Sequence, residues 1–287
     1  MEDPGRDGAI RIVVETVRIE GKGALLLTGP SSCGKGEIAK ALCRFLSIPQ
    51  AMHLSMGDML RGTIDRARRD DGFRERLASQ YEISDRVSIL DECNNRPEII
   101  EKVRRYEGDV ADLLASGGEQ VSQLDWLEYC VKRGLLVPDE WTEHIIDAQL
   151  AESEELRRGL FILDGYPRTP TAARELLETF GKQGVAVVKV LHLSITKEQM
   201  KLRAFNRRRE DDIEEVLESR YQFYIEKVQP CIDYLKAELG PQKVALIDAH
   251  QPVFNGDGSL DLEQSVRAVT LSVIQALGLP QFLLDVG

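Results

Sequence analysis

The sequence predicts an α/β fold of three layers, with helices covering both faces of a five-stranded parallel sheet. Three observations lead there. Short apolar runs recur at residues 24–28, 52–55, 160–163, 186–193 and 244–248, near-continuous as strands buried on both faces are. Longer stretches between them, such as "EIAKALCRFL" and "EEVLESRYQFYIEKVQPCIDYLKAEL", space their apolar residues at helical intervals. Strands that alternate with helices need crossover connections, and crossovers give parallel pairing.

Taken in order, residues 1–22 form an extension whose segment 10–19 is expected to add a strand. The acidic start and the charges that interrupt its apolar stretch fit neither a secretory signal nor a membrane span. Residues 23–61 and 134–287 make up the α/β core. Between them, residues 62–133 are rich in charge and helical in spacing, with Asn95, Pro97 and the pair Gly117-Gly118 as punctuation. This segment is expected to be a helical insertion.

The 287 residues are 43% hydrophobic and 30% charged, as a soluble globular chain is. A net charge of -11 opposes general binding to nucleic acid or acidic membranes unless basic groups are gathered locally. Five cysteines without a C-x-x-C pair indicate neither a disulfide framework nor a zinc cluster, which suits a reducing cytoplasm.

The first strand runs into "TGPSSCGKGE", residues 28–37. Gly29, Gly34 and Gly36 let backbone N–H groups turn toward an anion, Lys35 adds a point charge, and the next helix directs its positive end to the same place. The spacing G-x-x-x-x-G-K between a strand and a helix is that of a phosphate loop, and it makes the fold one of P-loop NTPase type. Gly36 stands where the strict form has Ser or Thr.

Those residues, with four further segments, resemble the nucleoside monophosphate kinases, adenylate kinase above all. "HLSMGDMLR" (53–61) is similar to H-L-S-T-G-D-L-L-R, "GLLVPDE" (134–140) to G-x-L-V-P, and "FILDGYPRT" (161–169) to D-G-[FY]-P-R. "RAFNRRREDDIEEVLESRY" (203–221) is similar to the family's arginine-bearing lid and the helix after it, with a short lid at about 204–212. The resemblance implies ATP as donor, Mg2+, and a nucleoside monophosphate acceptor, AMP foremost. It implies a donor site of Gly29, Ser32, Cys33, Gly34, Lys35, Gly36, Glu37 and Arg203, with Arg203 stacked on the donor base. The acceptor site would hold Met56, Arg61, Asp164 and Arg168. Phosphoryl transfer asks mainly for alignment and charge stabilisation, so Lys35, Arg168, Arg207, Arg209, Arg220 and Asp164 are the expected catalytic set, with Asp164 also serving the metal. No nucleic acid, no membrane and a monomer complete the expectation. The four histidines are expected to be structural, and Cys33 a small filler.

The chain departs from the family pattern in places. Glu37 replaces the threonine after G-K-G, Met56 replaces the threonine of S-T-G-D, and Ala172 stands where a glutamine commonly reads adenine. The stretch between Arg61 and Gly134 is longer than usual by about fifty residues, counted against the motif spacing. Two alternatives therefore stand beside AMP kinase: a kinase for UMP, CMP, a deoxynucleotide or another phosphate, and a nucleotide-binding regulator with weak turnover.

Overall fold

Every apolar run in the core becomes a strand of one sheet. The computed structural model describes residues 21–88, 121–133, 137–207 and 214–279. In chain order the elements are β1 (Gly23–Thr28), α1 (Lys35–Phe45), β2 (His53–Ser55), α2 (Met56–Arg69), α3 (Asp71–Tyr81), α4 (Gln123–Arg133), α5 (Asp139–Glu152) and α6 (Glu154–Arg158). There follow β3 (Leu160–Asp164), α7 (Pro170–Gln183), β4 (Val187–Ser194), α8 (Lys197–Arg207), α9 (Glu214–Phe223), α10 (Gln229–Leu239), β5 (Val244–Asp248), β6 (Val253–Phe254), β7 (Leu260–Asp261) and α11 (Leu262–Ala276).

Strand order is β2-β3-β1-β4-β5, all parallel. β1 is central because it is buried along its whole length, and β3 is buried likewise. Leu25, Leu26 and Leu27 are at most 1% exposed, and burying each contributes about 1.5–3 kcal/mol. β5 lies at an edge and alternates instead, with Ile247 buried and Leu246 exposed. The register places Leu27 beside Asp164 and Thr28 beside His192, so the strands end together under the loop that follows β1.

The chain divides into two compact units. The first, residues 1–54, 155–170 and 184–287, contains the sheet with α1, α8, α9, α10 and α11. α1 packs on α11, while α10 and α11 pack on β5. α9 and α10 are separated by a π-helical turn, Tyr224–Val228. The periodicity of this stretch predicts one uninterrupted helix, but Pro230 lacks the N–H that an α-helical ladder would need there. A hairpin of β6 and β7, turning through Asn255-Gly256-Asp257-Gly258, is an addition that the apolar runs do not announce.

The second unit comprises residues 55–154 and 171–183, and the expected 62–133 segment lies within it. α2 packs on α3, α4 and α5. Its amphipathic face buries Met56, Met59, Leu60, Thr63, Ile64 and Ala67. Asp70 caps α3 by accepting from the Phe73 N–H at 2.9 Å. Arg68 joins α2 to α4 through Asp125 (2.6 Å) and Glu128 (2.8 Å), and Arg66 reaches Glu152 at 2.5 Å. α5 and α7 are tied by Thr179 donating to Glu143 and Gln183 donating to Asp147, each at 3.0 Å. The expected strand at 10–19 and the central part of the insertion, residues 89–120, lie outside the described residues.

Candidate active site

The loop after β1 turns sharply because two of its glycines hold backbone conformations that side chains resist. Gly29 has φ +143°, and β4 packs so close behind it that a Cβ would meet the Leu193 carbonyl oxygen at 2.4 Å. Gly34 caps α1 in the left-handed region (φ +95°). No heavy atom within 4 Å would meet a Cβ on Gly34 or Gly36, so both face open space. The Ser32 hydroxyl oxygen is buried without a hydrogen-bond partner, a donor disposed toward an acceptor that the protein does not itself supply. The N-terminus of α1 adds its unpaired N–H groups and the positive end of its dipole.

Lys35 folds over this loop. Its ammonium donates to the carbonyl oxygens of Gly29 (3.0 Å) and Pro30 (2.8 Å) and to Cys33 Sγ (3.7 Å). Cys33 is 2% exposed and fills the space beneath the loop. Arg203, on α8, clamps the loop from the other side, donating to the Cys33 carbonyl (3.2 Å) and the Ala249 carbonyl (2.7 Å). Burial lowers the Arg203 pKa from its ordinary value, against the opposing pull of Cys33 and Asp248.

Glu37 stands in the first turn of α1. Its carboxylate is exposed and pairs with Lys40 one turn on, at 3.0 Å, a placement that the first turn of a helix favours. Glu37→Thr is therefore expected to shift stability by no more than about 0.5 kcal/mol, as exposed pairs do, and to change nucleotide affinity by less than about threefold. Thermal unfolding and calorimetry check this, and a gain in affinity of tenfold or so would place the carboxylate against the phosphates.

Asp164 ends β3 and is nearly buried. His53 Nε2 lies 3.3 Å from its Oδ2. A carboxylate can only accept, so Nε2 carries the proton; Nδ1 then accepts from the Gln50 amide at 3.3 Å. The contact of His53 with Asp164 joins residues 111 apart in the chain, and no local spacing announces it. The chain then turns through Gly165 (φ +85°), whose N–H donates to the Leu27 carbonyl at 2.9 Å, and through a cis Tyr166-Pro167 bond. Arg168 Nε donates to the Gly165 carbonyl at 2.7 Å. Loop, Asp164 and Arg168 thus all follow the carboxyl ends of adjacent strands, where open α/β sheets bind ligands.

The remaining expected residues fall as follows. Arg220 lies on α9, and Arg207 is the last residue of α8. Arg209 lies outside the described residues, as do most of the short lid and the first residues of "GLLVPDE". In the second unit Met56 is 3% exposed at the start of α2, and Arg61 pairs with Asp58 at 2.6 Å. Arg61 folds back over Gly57, where a Cβ would come within 3.3 Å of its guanidinium. Ala172, on α7, is fully buried. No group of three or more metal-ligating side chains occurs among the described residues.

Beneath the loop, the Thr28 hydroxyl lies 2.9 Å from His192 Nδ1, and His192 Nε2 lies 3.0 Å from the Tyr224 hydroxyl. Burial first, then the Lys35 charge, pushes the His192 pKa down to about 4. The unfolded chain takes up this proton near 6.5, whereas the folded chain withholds it until about 4. Acid within that window therefore favours unfolding, and the stability is regained above it. Acidification from pH 6.5 to 4 should cost about 3 kcal/mol from this group. Chemical unfolding at a series of pH values is expected to show a flatter slope in His192→Gln.

The sequence matches the family model described as Adenylate kinase over residues 108–239, a span that includes Asp164, Arg168, Arg203, Arg207, Arg209 and Arg220. Among curated proteins, the chain is 27% identical to the adenylate kinase of Thermosipho africanus (strain TCF52B) over 282 residues. That alignment covers 88% of this chain and 99% of the relative. The adenylate kinase of Thermosipho melanesiensis is 26% identical with the same coverage. That of Mycolicibacterium vanbaalenii is 28% identical over 215 residues, covering 75% of this chain and 87% of its own. The sheet order and the phosphate loop accord with these matches: the chain is similar to adenylate kinases, over residues 108–239 in the family model and over most of its length in the relatives.

Proposed function

We propose that the protein transfers the γ-phosphoryl group of ATP to a nucleoside monophosphate, with AMP as the preferred acceptor. The observation that carries this is the loop of residues 29–36, whose ammonium is held at its rim, whose Ser32 hydroxyl is unpartnered and whose Gly34 and Gly36 face open space. Lys35 and the loop N–H groups would hold the β- and γ-phosphates. An oxygen of the acceptor's α-phosphate attacks the γ-phosphorus, and the bond to the β–γ bridging oxygen breaks, giving ADP and a nucleoside diphosphate. Arg61 and Arg168 would hold the acceptor phosphate, and Arg207, Arg209 and Arg220 would spread the charge of the transferring group.

Asp164 is a carboxylate at the carboxyl end of β3, without a cluster of further ligands among the described residues. That suits Mg2+, which keeps several waters and takes few protein oxygens. When bound, the ion neutralises the β- and γ-phosphate oxygens. The orientation of Glu37 toward Lys40 supports an enzyme over a weakly turning regulator.

Met56 and Ala172 are buried and offer no side-chain hydrogen bond to a base, which favours a second reading with a different or broader acceptor range. Phosphorus NMR with Mg-ATP and each monophosphate in turn tests both. Conversion of AMP to ADP is expected, a stronger signal with another monophosphate would select the second reading, and no turnover across the panel would overturn both.

A further inference from the structure

A bridge of hydrogen bonds joins the strand that leads into the phosphate loop, the neighbouring strand β4 and the π-turn that follows the helix carrying Arg220. Thr28 is the last residue of β1, immediately before Gly29. His192 is its register partner on β4. Tyr224 opens the π-helical turn directly after α9, four residues beyond Arg220. All three residues are at most 5% exposed. The His192 and Tyr224 rings are nearly parallel, 6° apart with centroids at 5.8 Å.

Donor counting shows that the bridge can be fully satisfied. His192 is neutral, so one ring nitrogen donates and the other accepts. The Thr28 and Tyr224 hydroxyls can each donate or accept, so the bridge closes with either tautomer of the ring. An unbroken chain thus runs from the π-turn to the residue that opens the loop. Burial makes a gap in it costly, since a polar group left unpaired there loses water without replacement. π-Turns inside helices concentrate at functional positions, because the extra residue re-aims the side chains around it. Here the turn brings a tyrosine hydroxyl to a histidine behind the phosphate loop.

We propose that Thr28, His192 and Tyr224 form a buried positioning bridge that fixes the helix carrying Arg220 to the strand that opens the phosphate loop. The inference rests on the reading above, in which Arg220 acts on the transferring phosphoryl group. None of the three touches substrate; they act through the placement of Arg220 and Gly29. Small misplacements of a charge-stabilising group cost rate more than affinity, so the bridge should be visible in kcat.

The test combines kinetics with hydrogen exchange on the full chain. Tyr224→Phe keeps the ring and removes the hydroxyl; Thr28→Val does the same at the other end, and Thr28→Ser restores a hydroxyl. Each deletion is expected to lower kcat about tenfold with KM for ATP within about twofold, and Thr28→Ser to recover most of that loss. Because the bridge acts as a unit, the double variant should lie within about twofold of either single one. Amides of residues 214–228 in Tyr224→Phe should exchange about tenfold faster, while those of 24–27 and 190–193 do not change.

An unchanged kcat, additive losses in the double variant, or equal acceleration of exchange in the strands would each overturn the bridge. So would a loss of kcat without faster exchange at 214–228. If the parent enzyme turns over no acceptor, it is the functional reading that fails. Exchange then decides the bridge alone, with unchanged protection at 214–228 overturning it and faster exchange there supporting it.

Discussion

Lys35→Met should lose about 10²–10³-fold in kcat, the usual cost of removing one preorganised charge from a site where negative charge develops. The variant keeps the stem of the side chain and deletes the ammonium. Two loop carbonyls, those of Gly29 and Pro30, lose a donor that now lies within 3.0 Å of each. Both hydrogen bonds are part-buried, so the accompanying loss of stability should be about 1–2 kcal/mol. The separation of these effects is informative. Lys35→Arg retains the charge but brings a planar fork in place of a compact ammonium, and should recover little of the rate. Steady-state turnover with Mg-ATP and the preferred acceptor, beside denaturant unfolding, measures both. A Lys35→Met enzyme within threefold or so of the parent would remove the loop from the mechanism.

Gly29→Ala is expected to be damaging for a different reason. Its Cβ would stand 2.4 Å from the Leu193 carbonyl oxygen and 3.0 Å from Cys33 Sγ, with φ at +143°. Neither obstacle gives easily, because the carbonyl belongs to β4 and the sulfur is packed beneath the loop. Backbone strain of about 1–3 kcal/mol and overpacking of about 1–3 kcal/mol together predict a loss of about 3–5 kcal/mol. Gly36→Ala is the contrast. Gly36 is helical, and its Cβ would meet nothing within 4 Å. Stability should rise by about 0.5–1 kcal/mol from helix propensity. Unfolding midpoints would check the pair. Equal stability effects at the two glycines would contradict the packing of β4 behind the loop.

The strands of the sheet were readable because β1 and β3 are buried on both faces and so carry unbroken apolar runs. The loop was readable because its glycines, lysine and following helix sit next to one another in sequence. The partners of those groups were not. Thr28 and His192 are 164 residues apart, and His53 and Asp164 are 111 apart. No local spacing announces either contact. A histidine at the end of an apolar strand was a signal of a sort, since a buried imidazole needs two partners, but not of which ones. The β6–β7 hairpin escaped because each strand is two residues long, although its Asn-Gly-Asp-Gly turn stands in the sequence. The hydrogen bonds of Arg203 to the Cys33 and Ala249 carbonyls likewise join residues far apart in the chain, and no local spacing announces them.

The sheet order also has a consequence for synthesis. β1 leaves the ribosome early, yet its two neighbours, β3 and β4, begin at Leu160 and Val187. Until both have emerged, this apolar strand has no companion on either side. The nascent polypeptide must carry that sticky segment while the residues from Gly29 to Ser194 are made, and chaperone demand should be greatest in this interval.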